Sequence, residues 1–246
     1  MTPRPALPAY LTTPGWESHS GLVHGFFGRG EDGAQGDTEI QVALGVAVTT
    51  DLHLPRQVHG ATILTVREDS GPRLGDGDAV ITDRPGVLIG VATADCVPIL
   101  VIAPAARVCA AIHAGWRGTA AEITRKTVAA LADRFRLQPR DLHAAIGPAI
   151  CGPCYEVGDE VVDALTAALG AHAACGITHP NGARPHADLR TINRALLIAA
   201  GLSPDRVHLV GACTACDSAF PCHSYRRDAQ AAGRQLSVIG WLPNAG

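Results

Sequence analysis

The residues able to do chemistry crowd into one stretch, VLIGVATADCVPILVIAPAARVCAAIHAGWRG, residues 87–118. Within it Cys96 follows Ala94-Asp95, and His113-Ala114-Gly115-Trp116-Arg117-Gly118 begins seventeen residues later. A thiolate is a nucleophile and a soft metal ligand; an imidazole is a base and the commonest metal ligand. A third donor, His59, stands in Arg56-Gln57-Val58-His59-Gly60. Two imidazoles and a thiolate with a fourth position open make a catalytic zinc site. The same set admits Cu²⁺ as the alternative to Zn²⁺, because a Cys-His₂ set also builds electron-transfer copper centres. Those centres usually carry an axial Met, and the only Met of this chain is Met1. A further option needs no metal: Cys96 and His113 as a nucleophilic dyad, with the imidazole holding the thiol as thiolate. A lone cysteine in an apolar run ordinarily fills space. Polar Asp95 beside Cys96, and the Gly- and Arg-bearing stretch after His113, weigh against that reading.

Arginines accompany this centre. Arg29 follows Gly28, Arg56 precedes Gln57, Arg117 sits between Trp116 and Gly118, and Arg226-Arg227 lie in HSYRRD. Guanidinium forks match phosphate and carboxylate oxygens, so these positions suit an anionic co-substrate. The ordinary alternative is pairing with some of the 23 acidic residues. Arg29, Gln57, Arg117 and His24 are the expected substrate- and phosphate-binding residues.

Four further cysteines form two C-x₂-C pairs, Cys151/Cys154 and Cys213/Cys216. Paired C-x₂-C motifs can hold structural zinc when both sit in knuckle loops. Cys213 directly follows an apolar run and Cys222 adds a nearby thiol, so the expectation is separate loop or buried thiols and no zinc knuckle.

The elements that must position these groups follow from periodicity. Val87–Thr93 and Val97–Ala103 read as buried strands, with Cys96 at their junction. Residues 106–112 read as a third strand after the Pro104 turn, ending at His113. Residues 21–28, 61–67, 79–82, 142–146, 207–211 and 235–241 read as further strands. Glu31–Thr38 and the GPRLGDGD cluster read as loops, and 40–48 is ambiguous. Helices are expected near Thr119, with Ile123, Thr127, Leu131 and Phe135 as its stripe, after Glu156 with Val157, Val161, Leu165 and Leu169, and from the N-cap Asp188. Gly170 and Gly201 stop the last two. Residues 171–187 read as a loop.

The 246 residues contain no repeat, linker or charge run, so a single domain over 21–246 is expected, preceded by a 1–20 N-terminal arm or edge. The class is mixed α/β (α+β), with strands outnumbering helices. Net charge is −3 and pI 6.4, which calls for neither nucleic acid nor an anionic membrane as partner. Only one of the 20 basic residues is Lys, Lys126. No segment resembles a signal peptide or reaches transmembrane length, so the expected location is cytoplasmic. Eight cysteines in such a chain point to metal or reactivity before disulfides.

The motifs RQVHG (56–60), DAVITDRPG (78–86), TADCVPIL (93–100) and HAGWRGTA (113–120) stand in a fixed order with four later ones. These are IGPAICGPCYEVGDEV (146–161), DLRTINRALLIAAG (188–201), CT (213–214) and SYRRD (224–228). The series resembles YfiH-type proteins, also called the laccase-domain or multicopper polyphenol oxidase family. The resemblance implies a mixed-sheet sandwich with flanking helices, similar to a bacterial toxin cysteine hydrolase. It implies zinc at His59, Cys96 and His113. The residues themselves suggest a catalytic set of Cys96, His113, Asp95 and Arg117, with Asp95 or His24 as the acid by placement at a strand end. The implied activity is phosphorolysis of adenosine, inosine and methylthioadenosine with phosphate as co-substrate, together with adenosine deamination. Other members are described as polyphenol oxidases or peptidoglycan editing factors. The expected assembly is a monomer or weak homodimer. After the first strand, relatives carry a Thr-Arg-x-Gly-Gly turn and a longer segment, whereas this chain has Gly28-Arg29-Gly30 and a shortened GEDGAQGDTEI.

Overall fold

The computed structural model describes residues 10–29, 36–180 and 184–243. Its first strands are β1 (Tyr10–Leu11), β2 (Leu22–Phe27), β3 (Leu52–Arg56), β4 (Ile63–Thr65), β5 (Arg73–Asp76), β6 (Ala79–Thr82) and β7 (Val87–Thr93). Then come β8 (Val97–Ala103), β9 (Val108–Ala114), β10 (His143–Ile146), β11 (Ile177–Thr178), β12 (His186–Ala187), β13 (Val207–Leu209) and β14 (Gln235–Trp241). The helices are α1 (Asp37–Ala43), α2 (Trp116–Ala120), α3 (Ile123–Phe135), α4 (Asp159–Leu169), α5 (Ala171–Ala174), α6 (Leu189–Ala199) and α7 (Tyr225–Asp228).

Two six-stranded mixed sheets dominate, in the orders β1-β2-β14-β7-β3-β5 and β13-β10-β8-β9-β6-β4. They stack face to face, and period-two alternation explains the layers. On β8, Leu100 and Ile102 enter the core between the sheets with Ile89, Val91, Phe26 and Ile239. Val97, Ile99 and Val101 of the same strand point the other way, onto Ile123, Leu131, Leu165 and Ile192 of α3, α4 and α6. The first sheet turns Phe27, Leu88 and Val238 outward onto Ile40 of α1. Strands covered on both faces therefore read as unbroken apolar runs. Each fully buried Leu, Ile or Phe contributes about 1.5–3 kcal/mol.

The mixed α/β sandwich agrees with the sequence reading, and the differences have local causes. Tyr10–Leu11 pairs antiparallel with Phe27 and Phe26 as an edge strand. Trp16, 1% exposed, plugs the inter-sheet core, so residues 10–20 are tied to the sandwich; residues 1–9 lie outside the described set. The Arg73–Asp76 strand hides in the turn-like GPRLGDGD cluster because it is a solvent-facing edge pairing with β3. The ambiguous 40–48 segment lies largely in helix α1 and the turn after it, anchored by Ile40. The helix expected from Thr119 is two helices, broken at Glu122, where φ is +59°. The third strand runs two residues later than expected, so His113 lies inside β9 and faces Pro98 of β8. The 171–187 loop contains α5, β11 and β12; residues 181–183, like 30–35 of the shortened early segment, lie outside the described set.

Candidate active site

Cys96 sits where the chain crosses from one sheet to the other, between β7 and β8. The crossing needs a tight turn, and Asp95 takes it with φ +84°, a left-handed conformation that costs a non-glycine residue about 1–3 kcal/mol. The surroundings hold that strain. The Thr214 hydroxyl donates to Asp95 Oδ1 at 2.6 Å and the Arg226 N–H to Oδ2 at 2.6 Å. The Ile150 N–H donates to the Asp95 carbonyl at 3.0 Å.

His113 comes from the neighbouring strand and His59 from the loop after β3. Cys96 Sγ and one ring nitrogen of each histidine lie within 4.8 Å of one another. The imidazoles meet edge to face with ring centres 4.9 Å apart. Gly115 leaves room for the cluster: a Cβ there would lie 3.0 Å from Cys96 Sγ and 3.2 Å from His59 Cδ2.

Behind the cluster stands a residue that sequence reasoning missed. Asp78, 0% exposed at the head of β6, accepts from His113 Nδ1 at 2.8 Å. Its carboxylate also accepts the backbone N–H groups of Val58, His59 and Gly60 at 3.3, 3.0 and 2.7 Å. One carboxylate thus orients one imidazole and holds the loop that carries the other, at a His59 φ of +58°. With Nδ1 committed to Asp78, His113 presents Nε2 to Cys96, the nitrogen a metal would take in place of a proton. Burial alone would push Asp78 up, but the His113 hydrogen bond and the backbone donors hold it below the usual carboxylate range.

Burial likewise would raise the Cys96 thiol, yet hydrogen bonds from His113 and His59 outweigh it and lower it. Burial would lower His113, and its bonds to Asp78 and Cys96 raise it. A half-buried, readily ionised thiol between two histidines is a donor set that fits a zinc-type ion. Tetrahedral Zn–N and Zn–S bonds of about 2.0–2.3 Å put donors roughly 3.4–3.6 Å apart, inside the spread found here. Cys96, His59 and His113 could hold such an ion with one position left open.

A cleft of about 610 Å³ opens over the cluster, of a size that takes a nucleoside-sized ligand. Arg117 stands on its wall, its guanidinium 4.2 Å from the centre of the Trp116 ring. Tyr155 lines it too, its phenol pushed up to about 12 by burial and by the nearby Cys96. A larger hollow of about 840 Å³ beside α6 is mostly apolar and lies away from the cluster.

Other expected site residues are elsewhere or otherwise engaged. His24 does not line the cleft; it packs against Trp16 with ring centres 4.9 Å apart, and its Nε2 accepts from Thr13 N–H at 2.8 Å. Arg29 is exposed beyond β2 and does not line the cleft either. Gln57 lines it, but both ends of its amide hold Ala92 of β7, at 2.7 and 2.8 Å. Asp95 lines it with both carboxylate oxygens already accepting, which suits a brace and not the acid expected of it.

The expectation that these thiols stand apart is corrected. The sulfurs of Cys151, Cys154, Cys213 and Cys216 converge within 4.8 Å of one another. The Cys151 and Ala215 N–H groups donate to Cys213 Sγ at 3.3 and 3.4 Å. Cys213 does follow β13, but a parallel bridge to Ala149 swings it onto the Cys151 loop.

Comparison with known proteins agrees with this architecture. The profile of the family described as "Multi-copper polyphenol oxidoreductase laccase" matches residues 31–242. A purine nucleoside phosphorylase of Deinococcus radiodurans is 39% identical over 208 residues, covering 84% of this chain and 76% of that protein. Adenosine deaminase RL5, from an unknown prokaryotic organism, is 35% identical over 190 residues, 74% of this chain and 72% of that one. The crystal structure of YlmD from Geobacillus stearothermophilus superposes with a TM-score of 0.82 at 30% identity, covering 92% and 93% of the two chains.

Proposed function

The chain belongs to the multi-copper polyphenol oxidoreductase laccase family, and on that premise we propose that it is a zinc-dependent purine nucleoside phosphorylase that also deaminates adenosine. The proposed substrates are adenosine, inosine and methylthioadenosine, with inorganic phosphate as co-substrate. The observation that carries the reading is the convergence of His59, Cys96 and His113 at the floor of a cleft walled by Arg117. Relatives named purine nucleoside phosphorylase and adenosine deaminase support it.

In phosphorolysis a phosphate oxygen bonds to C1′ of the ribose as the C1′–N9 bond breaks, and the purine leaves with its electron pair and takes up a proton. In deamination water adds to C6 of adenine and ammonia departs. His59, Cys96 and His113 would hold zinc, which when bound supplies a Lewis acid that polarises oxygen at its open position. Asp78 keeps His113 in the ligating tautomer and keeps the His59 loop in register. Arg117, steadied on the Trp116 face, pairs with phosphate oxygens through its donor fork. Tyr155 presents its O–H to the purine or its leaving nitrogen. Asp95 keeps the turn that presents Cys96. The expected assembly is a monomer or weak homodimer.

Among the described residues no helix is long and apolar enough to cross a membrane.

The test is reconstitution. Metal-stripped protein is reloaded with zinc or with copper and assayed for ribose 1-phosphate from inosine and for oxidation of a phenol. Zinc is expected to restore ribose 1-phosphate formation. Phenol oxidation restored by copper, with no phosphorolysis in the zinc sample, would refute the proposal.

A further inference from the structure

The four cysteines outside the cleft form a set of their own. They come in two C-x₂-C pairs 62 residues apart in sequence, measured from Cys151 to Cys213, on loops that follow the paired strands β10 and β13, a pairing that brings the loops together without fixing where their side chains point. Yet all four sulfurs lie within 4.8 Å of one another, and all four thiols are free. A tetrathiolate zinc with Zn–S bonds near 2.3 Å has sulfurs about 3.8 Å apart. The observed spread leaves room for one ion and little else.

The backbone around them has the form of two metal knuckles. The Cys154 N–H returns to the Cys151 carbonyl at 3.0 Å, closing the first turn. In the second, the Ala215 N–H reaches back to Cys213 Sγ at 3.4 Å, while the Cys151 N–H from the first loop reaches the same sulfur at 3.3 Å. Backbone donors aimed at a sulfur favour it as an anionic ligand. Four protein ligands leave no open position, which marks a structural site and not a catalytic one.

We propose that Cys151, Cys154, Cys213 and Cys216 bind a second zinc ion in a closed tetrathiolate site that braces the wall of the cleft. The brace reaches the cleft by two short routes. Cys154 adjoins Tyr155, which lines it. Cys213 adjoins Thr214, whose hydroxyl holds Asp95 at 2.6 Å beside Cys96. Thr214 N–H in turn bonds the Ala149 carbonyl at 3.2 Å, so the two loops move as one piece. This site is separate from the His59–Cys96–His113 cluster and does not depend on the reaction proposed for it.

Protein purified under reducing conditions without added metal tests the idea by elemental analysis. Wild type is expected to carry two zinc ions per chain, and Cys96→Ala and Cys213→Ser one each. X-ray absorption of Cys96→Ala is expected to give sulfur ligands alone, near about 2.3 Å. A Cys96→Ala protein free of zinc, or one carrying iron there, would overturn the assignment. Because Cys213 is buried and its substitution perturbs packing as well as ligation, a second measurement uses the unmodified chain. Cys175 and Cys216 are both exposed. Iodoacetamide is expected to modify Cys175 at once and Cys216 only after a chelator is added. Equal rates at the two positions, or disulfides among the four in the intact mass, would contradict a bound metal.

Discussion

Asp78 Oδ1 lies 2.8 Å from His113 Nδ1, and the same oxygen accepts the backbone N–H of His59 at 3.0 Å. One buried carboxylate therefore sets the aim of both histidines of the cluster, although it touches neither Cys96 nor the cleft. Removing its charge should loosen the metal without removing a ligand. Asp78→Asn is expected to weaken zinc binding about 10–100-fold in a chelator competition, with far-UV circular dichroism unchanged. Wild-type affinity in the variant would reduce Asp78 to a fold residue.

Arg117 is expected to act on phosphate and not on the purine. A charge-assisted hydrogen bond contributes about 1.5–3 kcal/mol. Arg117→Ala should therefore raise the KM for phosphate roughly 10–100-fold while changing adenosine deamination only a few-fold. Equal losses in both reactions would assign Arg117 to the fold or the metal instead.

His24 gives the chain an acid-sensitive spot outside the cleft. Burial pulls it from the usual 6.5 down to about 4, against a small opposing pull from Glu17. The folded-state value lies below the unfolded one, so between them the unfolded chain binds more protons. The His24 contribution is complete above about pH 6.5 and drains away as the pH falls toward 4, by about 3 kcal/mol in all. Denaturant unfolding at pH 7.5 and pH 5 should show a larger loss for wild type than for His24→Gln. Identical losses would mean that His24 is not the titrating group.

How much of this was legible in the sequence depended on where each residue's partners lie. Val97–Ala103 is apolar on both faces because helices cover one side and a second sheet the other, so the strand and its neighbour were readable from type alone. Cys96 and His113 stood out because they sit where such runs end, beside polar Asp95 and the Gly- and Arg-bearing stretch; His59 stood out only as a third donor of the right type. Asp78 did not, since it closes a Gly- and Asp-rich cluster that reads as a turn. The one available signal was an acidic residue directly before the buried Ala79–Thr82 strand. His24 alternates correctly along its strand but faces Trp16, and no local pattern tells which sheet face meets the cleft. The sulfur tetrad was hidden for a related reason. Its two halves are loops whose meeting depends on the Ala149–Cys213 bridge, a tertiary contact with no periodic trace.

The central claim is that His59, Cys96 and His113 form a centre that cleaves purine nucleosides with phosphate. Purine release from inosine, with and without inorganic phosphate, measured for wild type and Cys96→Ala side by side, tests it most directly. The account predicts release by wild type only when phosphate is present, with ribose 1-phosphate as the second product, and at least a 100-fold lower rate in Cys96→Ala. Release that ignores phosphate, or a Cys96→Ala protein as active as wild type, would contradict it.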